Sequence, residues 1–239
     1  MRRSAFVAAT TAALAGCAHR NAGPARPASA APPVRIVALG DSLALGTGAS
    51  APENGFIFLA YRRLLARRPG SRIDDLAIGG ATAADVLRLQ IPRLAYERAD
   101  IAIVCVGGND VVHRTEPDRF ASTYAELVAH LRSGLSHARL ILCGVPDVGL
   151  SPLFTGRDAH AMARLSAADD SAVRRIAKRS GAAFADLYGV TRRGHADAGT
   201  LLSDDRFHPS DTGYAAFADV LAPLVLRAAV VRPLPSHGR

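Results

Sequence analysis

Short apolar runs alternate along the chain with segments in which apolar residues recur at helical spacing. The clearest run, at residues 101–106 (IAIVCV), is apolar throughout, which is typical of a strand whose two faces are both covered. Similar strands are predicted at residues 34–39, 72–78, 139–143 and 183–187. Helices are predicted at residues 56–68, 82–98, 118–135, 158–179 and 212–229, the second being interrupted or kinked at Pro92.

This alternation predicts an α/β fold, a three-layer α/β/α sandwich with about five parallel strands and right-handed crossovers. The length of 239 residues and a hydrophobic fraction of 49% suit one domain with a sizeable core. Ligands of such folds bind beyond the carboxyl ends of the strands. Polar motifs that directly follow a predicted strand are therefore the candidates for chemistry.

The first 17 residues carry the pattern of an export signal. Arg2 and Arg3 precede an apolar stretch too short to span a membrane, and the stretch ends in Leu14-Ala15-Gly16-Cys17. This ending resembles the lipobox of bacterial lipoproteins, in which the cysteine is lipid-modified. We expect an exported protein anchored through Cys17 to a membrane of the bacterial cell envelope. The alternative is a secreted protein whose signal is cut after Ala28-Ser29-Ala30.

The segment that follows is rich in Ala and Pro and lacks apolar periodicity, so residues 18–33 are predicted to form a tether. The folded domain is expected at residues 34–232, followed by a short tail at 233–239.

Charge and composition exclude several classes of partner. The formal net charge is +8, but the arginines occupy segments with helical periodicity, which is typical of solvated helix faces. With no Trp and 5% aromatic residues the chain offers little for base stacking, so no nucleic-acid partner is expected. The histidines lack metal-ligand spacing, and neither a metal nor a cofactor is expected. Cys105 and Cys143 lie in strand-like runs, which favours buried free thiols over a disulfide.

Four motifs stand near the ends of predicted elements. Gly40-Asp41-Ser42-Leu43 follows the first strand, Gly79-Gly80 the second and Gly107-Gly108-Asn109-Asp110 the third, while Asp205-Arg206-Phe207-His208 precedes the last helix. Each taken alone has an ordinary interpretation as a cap, a turn or a surface histidine. An Asp three residues before a His can, however, reach Nδ1 and leave Nε2 free as a base.

In this order, the four motifs resemble those of the GDSL (SGNH) hydrolase family, over a region from Val34 to about Arg227. The resemblance implies a flavodoxin-like fold and a serine esterase without a cofactor. By the same resemblance, Ser42 is the nucleophile and Asp205 and His208 complete its triad. The oxyanion hole would consist of the Ser42 and Gly80 backbone N–H groups and the Asn109 side chain.

Two alternatives stay open at these motifs, and one departure from the family pattern is visible. Gly79 could replace Gly80 in the oxyanion hole, and Asp204 competes with Asp205 for the histidine. The second block of the family often begins with Asn, whereas this chain has Asp75-Leu76-Ala77, which puts a local backbone-supporting hydrogen bond in doubt.

The loop after the fourth strand is apolar, and we expect Leu150, Leu153 and Phe154 to line an acyl pocket. The expected partner is thus a small-molecule or lipid ester, with lipid or short-chain acyl groups. The rival interpretations are a carbohydrate O-acetylesterase of the cell envelope and a non-catalytic lipoprotein that binds an envelope ligand.

Overall fold

A computed structural model describes residues 31–96, 98–193 and 198–230 of the chain. The predicted signal sequence with Cys17, most of the tether and the tail at 233–239 lie outside the described residues. The folded part that begins at Ala31 belongs to one compact unit.

The centre of the fold is a five-stranded parallel sheet. Its strands are β1 (Arg35–Gly40), β2 (Arg72–Asp75), β3 (Ile101–Cys105), β4 (Arg139–Cys143) and β5 (Ala183–Ala185). Their order is β2-β1-β3-β4-β5, which is the flavodoxin-like order. The predicted α/β sandwich is thereby confirmed. The order reverses between β1 and β3, so a crevice is expected beyond the carboxyl ends of these two strands.

Eight α-helices lie in the described part of the chain. They are α1 (Phe56–Leu65), α2 (Ala83–Asp85), α3 (Gly108–Val112), α4 (Pro117–Gly134), α5 (Gly156–Ser180), α6 (Leu187–Arg193), α7 (Ala198–Leu201) and α8 (Asp211–Val230). Short 3-10 turns lie at Pro52–Asn54, Ile91–Tyr96 and Val148–Leu150.

The two faces of the sheet carry separate cores because successive strand side chains point to opposite faces. On one face, Ile101 and Ile103 of β3 pack with α1 and α8. On the other face, Ala102 and Val104 of the same strand pack with α4 and α5. The middle strand is therefore covered by helices on both sides, which explains its uniformly apolar sequence.

The predicted helix at 82–98 takes a more complicated form. Thr82 caps α2 in a capping box with Asp85, and a single π turn then follows at Val86–Gln90. The 3-10 turn at Ile91–Tyr96 contains Pro92, which lacks the N–H that a continued α-helix would need. The π turn brings the side chain of Gln90 into the core, where it is fully buried.

Helix α8 is long and apolar enough to cross a membrane, and no other helix in the described ranges is. Its apolar face is nevertheless buried against the sheet and α1, with Tyr214, Phe217 and Leu221 in that core. We therefore interpret α8 as a core helix of the fold.

Candidate active site

The backbone after β1 bends through a position that only glycine can occupy. Gly40 has φ +151°, and a Cβ atom on it would lie 1.9 Å from the carbonyl oxygen of Cys105 on the neighbouring strand. That carbonyl instead accepts the N–H of Asp41 at 3.2 Å. The close approach of β1 and β3 directs the next residues, including Ser42, into the crevice where the strand order reverses.

Gln90 holds the same turn from the opposite side. Its Nε2 donates to the Gly40 carbonyl at 2.7 Å, and its Oε1 accepts the Gly40 N–H at 2.9 Å. Sequence reasoning missed this residue because a single polar side chain in a helical segment is usually solvated. Its position two residues before Pro92, where a regular helix is disturbed, is the only signal that could have singled it out.

The turn after β1 meets the loop that precedes α8. His208 Nδ1–H donates to Asp205 Oδ2 at 2.6 Å, which leaves Nε2 to accept the Ser42 hydroxyl at 2.8 Å. Ser42 and His208 are 166 residues apart in sequence, and the fold joins them in one chain of two hydrogen bonds.

Asp205 is the carboxylate that orients the ring. Its Oδ1 accepts the backbone N–H groups of Phe207 and His208 and the hydroxyl of Ser203, each at 2.8 Å. Although partial burial raises its pKa, the hydrogen bonds from His208, Phe207 and Ser203 outweigh that effect and hold the pKa of Asp205 well below its usual range. Asp204, the competing residue, is exposed and has no partner among the described residues.

The loop that carries this pair has a left-handed backbone at Arg206, with φ +61°. Ser151, from the loop after β4, donates its hydroxyl to the Arg206 carbonyl at 2.8 Å. The loop is also packed closely against Gly48, where a Cβ atom would lie 2.7 Å from the Cβ of His208. These contacts fix the position of the His208 ring relative to Ser42.

The predicted oxyanion donors are distributed around the serine. Neither the Ser42 nor the Gly80 backbone N–H has an acceptor among the described residues, and the same holds for Gly79. Gly80 has φ +78°. Asn109 lies at the start of α3 beside the crevice, and its Nδ2 donates one hydrogen to the Ala81 carbonyl at 3.1 Å. The choice between Gly79 and Gly80 stays a prediction.

A cleft with an internal volume of about 110 Å³, open to solvent on one side, begins at Ser42, Asn109 and His208. It extends past the ends of β3 and β4 to Phe217 of α8, and its lining is mostly apolar. Deep within it, Cys105, Val106 and Phe217 are almost completely buried. Polar groups line it at Asp147, Ser151 and Thr191. An apolar group bound there would be removed from water.

The three predicted pocket residues are not equivalent. Leu150 lines the cleft, whereas Leu153 and Phe154 are not among its lining residues. The side chain of Leu153 is exposed to solvent, and Phe154 packs against the core on the α4/α5 face. The expectation that all three form the pocket therefore holds geometrically for Leu150 alone. The loop turns at Ser151, so residues beyond it leave the cleft.

Buried carboxyl groups lie behind the serine, and sequence reasoning assigned them no role. Burial raises the pKa of Asp41 to about 7 and that of Asp110 to about 6, even though their carboxylates accept the N–H groups of Leu43 and Ala83. Asp169 of α5 is fully buried, and neither of its oxygens has a hydrogen-bond partner in the described part of the chain. Burial, with a smaller contribution from Asp110, raises the pKa of Asp169 to about 8.

Two further predictions concern side chains near the cleft. Cys105 and Cys143 are buried free thiols on adjacent strands, and hydrogen bonding to Cys143, together with burial, raises the pKa of Cys105 well above its usual value. At the second block, the Asp75 carboxylate accepts the N–H of Ala77 at 3.0 Å, so this departure from the family pattern retains a local backbone bond. No group of three or more His, Cys, Asp or Glu side chains suited to a metal ion occurs within the described ranges.

The sequence from 38 to 216 matches the model of the GDSL-like lipase/acylhydrolase family. The chain belongs to this family. The match spans the turn after β1 and the loop with His208, so both halves of the site lie within it. Family membership makes the protein a carboxylic ester hydrolase.

Individual relatives agree with this assignment. "Lipase 2" of Streptomyces coelicolor is 28% identical over an alignment of 219 residues. The alignment covers 70% of this chain and 74% of that protein. The "GDSL-like esterase Rv1075c" of Mycobacterium tuberculosis is 31% identical over 216 residues, which cover 85% of this chain and 66% of that protein. The chain thus spans about two thirds to three quarters of these relatives.

Among solved structures, an acetyl xylan esterase, AlAXEase, superposes with a TM-score of 0.63 at 19% identity. The superposition covers 80% of this chain and 100% of that one. At this identity the likeness is one of fold.

Proposed function

We propose that the protein hydrolyses esters with apolar acyl groups through a covalent acyl-enzyme on Ser42. The observation that carries this proposal is the chain of hydrogen bonds from Ser42 through His208 to Asp205, which stands at the mouth of a buried apolar cleft. A serine hydroxyl needs an adjacent base to act as a nucleophile, and this arrangement supplies one.

In the proposed reaction, His208 Nε2 takes the proton of Ser42 as Oγ attacks the ester carbonyl. Asp205 keeps the ring in the tautomer that leaves Nε2 unprotonated, and it stabilises the imidazolium that forms. His208 then protonates the leaving alcohol. A water molecule, deprotonated by the same histidine, releases the carboxylic acid and regenerates Ser42.

The negative oxygen of the tetrahedral intermediate would bind the Ser42 N–H, the Gly80 N–H and the Asn109 amide. The free N–H groups of Ser42 and Gly80 and the second amide hydrogen of Asn109 support this assignment. Loss of one such donor typically costs about 2.7–4 kcal/mol of transition-state stabilisation.

The lining of the cleft supports an apolar acyl group, from a short-chain ester or a lipid. Val106 and Phe217 are each no more than 4% exposed in the protein, and Leu150 also lines the cleft. Transfer of each CH₂ group of an acyl chain from water into such surroundings contributes roughly 0.8 kcal/mol.

The test is hydrolysis of p-nitrophenyl esters from acetate to decanoate by the full chain, beside Ser42→Ala and the matched control Ser122→Ala. Ser122 is an exposed serine of α4 whose hydroxyl donates only to a backbone carbonyl. We expect turnover by the native chain and Ser122→Ala, its loss in Ser42→Ala, and a rate that rises with acyl length beyond acetate.

Other outcomes distinguish the rival interpretations. Turnover of acetyl esters alone, extending to acetylated glycans, would replace this proposal with a carbohydrate O-acetylesterase. No turnover of any ester by folded protein would favour a lipoprotein that binds an envelope ligand. Equal activity of Ser42→Ala and native protein would remove Ser42 as the nucleophile.

We further propose that the enzyme is exported and held at the cell envelope through lipidated Cys17. The lipobox-like sequence Leu14-Ala15-Gly16-Cys17 supports this location. Mass spectrometry of the membrane-associated protein should find acyl chains on Cys17 as the first residue. A soluble extracellular form that begins after Ala30 would favour secretion instead.

A further inference from the structure

Basic residues are concentrated along the side of the sheet where the strands begin, which is opposite the catalytic cleft. Three of the strands, β1, β2 and β4, begin with Arg35, Arg72 and Arg139, and all three residues are exposed. Parallel pairing aligns Arg35 with Arg72, and it aligns Arg139 with Ile101 at the start of β3. The arginines therefore form a row along the amino ends of the strands.

The helices add further cations at the same edge. Helices that connect parallel strands run antiparallel to them, so they end where the strands begin. The last turns of these helices contain Arg62 and Arg63 of α1, Arg132 of α4, Lys178 and Arg179 of α5, and Arg227 of α8. Arg67 and Arg68 directly follow α1. We call this set, together with the three strand arginines, the basic edge.

Acidic residues also lie at the basic edge. Asp100 lines the crevice with Arg68 and Arg139, and its carboxylate accepts the backbone N–H of Arg35 at 2.8 Å. Asp74 pairs with Arg35 at 3.6 Å, and Asp219 pairs with Arg63 at 2.8 Å. The remaining exposed cations have no acidic partner among the described residues: Arg62, Arg67, Arg72, Arg139, Lys178, Arg179 and Arg227. Within the described part of the chain, the cations of the basic edge therefore outnumber its acidic residues.

Favourable interaction with helix dipoles explains only part of this set. Cations are stabilised at helix carboxyl ends, which accounts for the residues in the last turns of α1, α4, α5 and α8. It does not account for Arg72 and Arg139, which begin strands. The cations also repel one another: burial and the neighbouring charge of Arg139 together lower the pKa of Arg132. An anionic partner would relieve this repulsion.

We propose that the basic edge binds the surface of an anionic lipid bilayer. The folded domain is joined to residues 1–30 at this edge, because Pro32 and Pro33 line a crevice there with Arg68, His137 and Arg139. A chain held at a membrane through its first residues would present this edge to the lipid headgroups. Nucleic acid is the competing anionic partner, and tighter binding to duplex DNA is an outcome of the test below.

The orientation has a consequence for substrate access. Helix α4 has 18 residues and runs from the cleft edge to the basic edge, a distance of about 27 Å at 1.5 Å per residue. When the basic edge rests on a bilayer, the cleft faces away from it. The enzyme would then take esters from the aqueous phase or from an opposing surface rather than from the bilayer that holds it.

The test is co-sedimentation of the full chain, carrying Cys17→Ser to prevent lipidation, with vesicles of phosphatidylglycerol and phosphatidylcholine. The edge variant combines Arg67→Gln, Arg72→Gln and Arg139→Gln. A control variant with the same change in charge combines Arg119→Gln, Arg157→Gln and Arg164→Gln, which are exposed residues in the amino-terminal halves of α4 and α5. Vesicles of phosphatidylcholine alone measure any binding by the apolar amino-terminal segment.

We expect native protein to prefer vesicles with phosphatidylglycerol and to lose that preference as salt is raised. The edge variant should bind them about a hundredfold more weakly, at roughly fivefold for each cation near the surface. The control variant should stay within about threefold of native. The proposal would be overturned if both variants lost affinity for the anionic vesicles equally, or if native protein did not prefer those vesicles. It would also be overturned if native protein bound duplex DNA more tightly than the vesicles and the edge variant lost that binding.

Hydrolysis of a soluble p-nitrophenyl ester by the same proteins separates this proposal from the proposed function. All of them should be active in solution, because none of the substituted residues lies at the cleft. Inactivity of all of them would count against the esterase assignment and leave the vesicle result to be judged independently.

Discussion

The side chain of Gln90 makes hydrogen bonds to both backbone polar groups of Gly40. The two distances are 2.7 and 2.9 Å, and both residues are inaccessible to solvent or nearly so. Gly40 is the last residue of β1, and the serine hydroxyl that bonds His208 stands two residues further on. A side chain from a distorted helix thus completes the backbone pairing at the point where the strand turns into the active site.

Substitution Gln90→Met should lower both stability and turnover. Methionine has a similar volume, but it leaves the buried N–H of Gly40 without a partner, at about 1–3 kcal/mol, whereas the Gly40 carbonyl keeps the N–H of Ile78 at 3.1 Å. We expect the free energy of unfolding in urea to fall by about 1–3 kcal/mol and kcat to fall more than KM rises. Leu89→Met, on the exposed side of the same turn, is the control and should change neither quantity. An unchanged kcat in folded Gln90→Met would show that Gly40 holds the serine without this clamp.

The adjacent acids Asp204 and Asp205 should differ sharply in their effect on rate. Asp205→Asn removes the charge that orients His208 and stabilises its protonated form, so kcat should fall on the order of 10⁴-fold. Asp204→Asn should leave the rate within about twofold, because its side chain is exposed and unpaired among the described residues. The measurement is steady-state hydrolysis of a p-nitrophenyl ester, with circular dichroism to confirm that both variants are folded. A larger effect at Asp204 would reverse the assignment.

Acyl-chain preference should respond to Leu150 and not to Leu153. Leu150→Ala widens the cleft and removes apolar contact, so kcat/KM for octanoyl esters should fall by about fivefold to thirtyfold relative to acetyl esters, the equivalent of about 1–2 kcal/mol. Leu153→Ala changes an exposed side chain of the same loop and should leave the acyl-length profile unchanged. Identical profiles for the two variants would mean that the acyl group does not bind along this wall.

Stability should decrease as pH rises from about 4 to 8. The pKa of Asp169 is raised from 3.8 to about 8, so between these values the folded state holds a proton that the unfolded state has released. The free energy of unfolding then falls with pH, by up to about 1.4 kcal/mol per pH unit for this group, and levels off above its folded-state pKa.

Asp169→Asn replaces the carboxyl with a neutral group of similar shape and tests this linkage. Its stability advantage over native protein should grow from pH 5 to pH 8, as measured by urea unfolding at each pH. The free energy of unfolding of Asp169→Asn should still fall with pH, but less steeply than that of native protein, because the pKa of Asp41 is raised to about 7 and that of Asp110 to about 6. Asp118→Asn, at an exposed acid of α4, is the matched control. Parallel curves for native protein and Asp169→Asn would contradict the prediction.

The sequence was sufficient for elements with a strong apolar pattern. Strand β3 was predicted to within one residue, because IAIVCV lies in the middle of the sheet and both of its faces are buried. Helix α3 was missed because it is five residues long and begins at a pair of glycines that also suit a turn. The π turn was missed because it arises from packing around Gln90 and from Pro92, and neither leaves a distinct periodicity.

The motifs indicated which side chains meet in the site more reliably than the loop sequence indicated which side chains line the pocket. Ser42, Asp205 and His208 lie in short motifs whose local spacing limits where their side chains can go. Leu150, Leu153 and Phe154 share a loop without periodicity, and their burial depends on where that loop turns at Ser151. The basic edge could not be predicted from composition, because its arginines are far apart in the sequence and only the parallel topology brings them close together.

The long separation between Ser42 and His208 also determines when the protein can become active during its biosynthesis. The histidine lies 166 residues after the serine, and Tyr214 of α8 donates to the carbonyl of Thr47 in the turn that follows the serine. Under the proposed mechanism, a nascent chain that lacks its last fifth therefore has a nucleophile but no base, and its serine turn lacks the support of α8. By this mechanism, ester hydrolysis would begin only after synthesis of the whole domain, so a chain exported as proposed, threaded unfolded through a secretion channel, would reach its destination before it could cleave any ester.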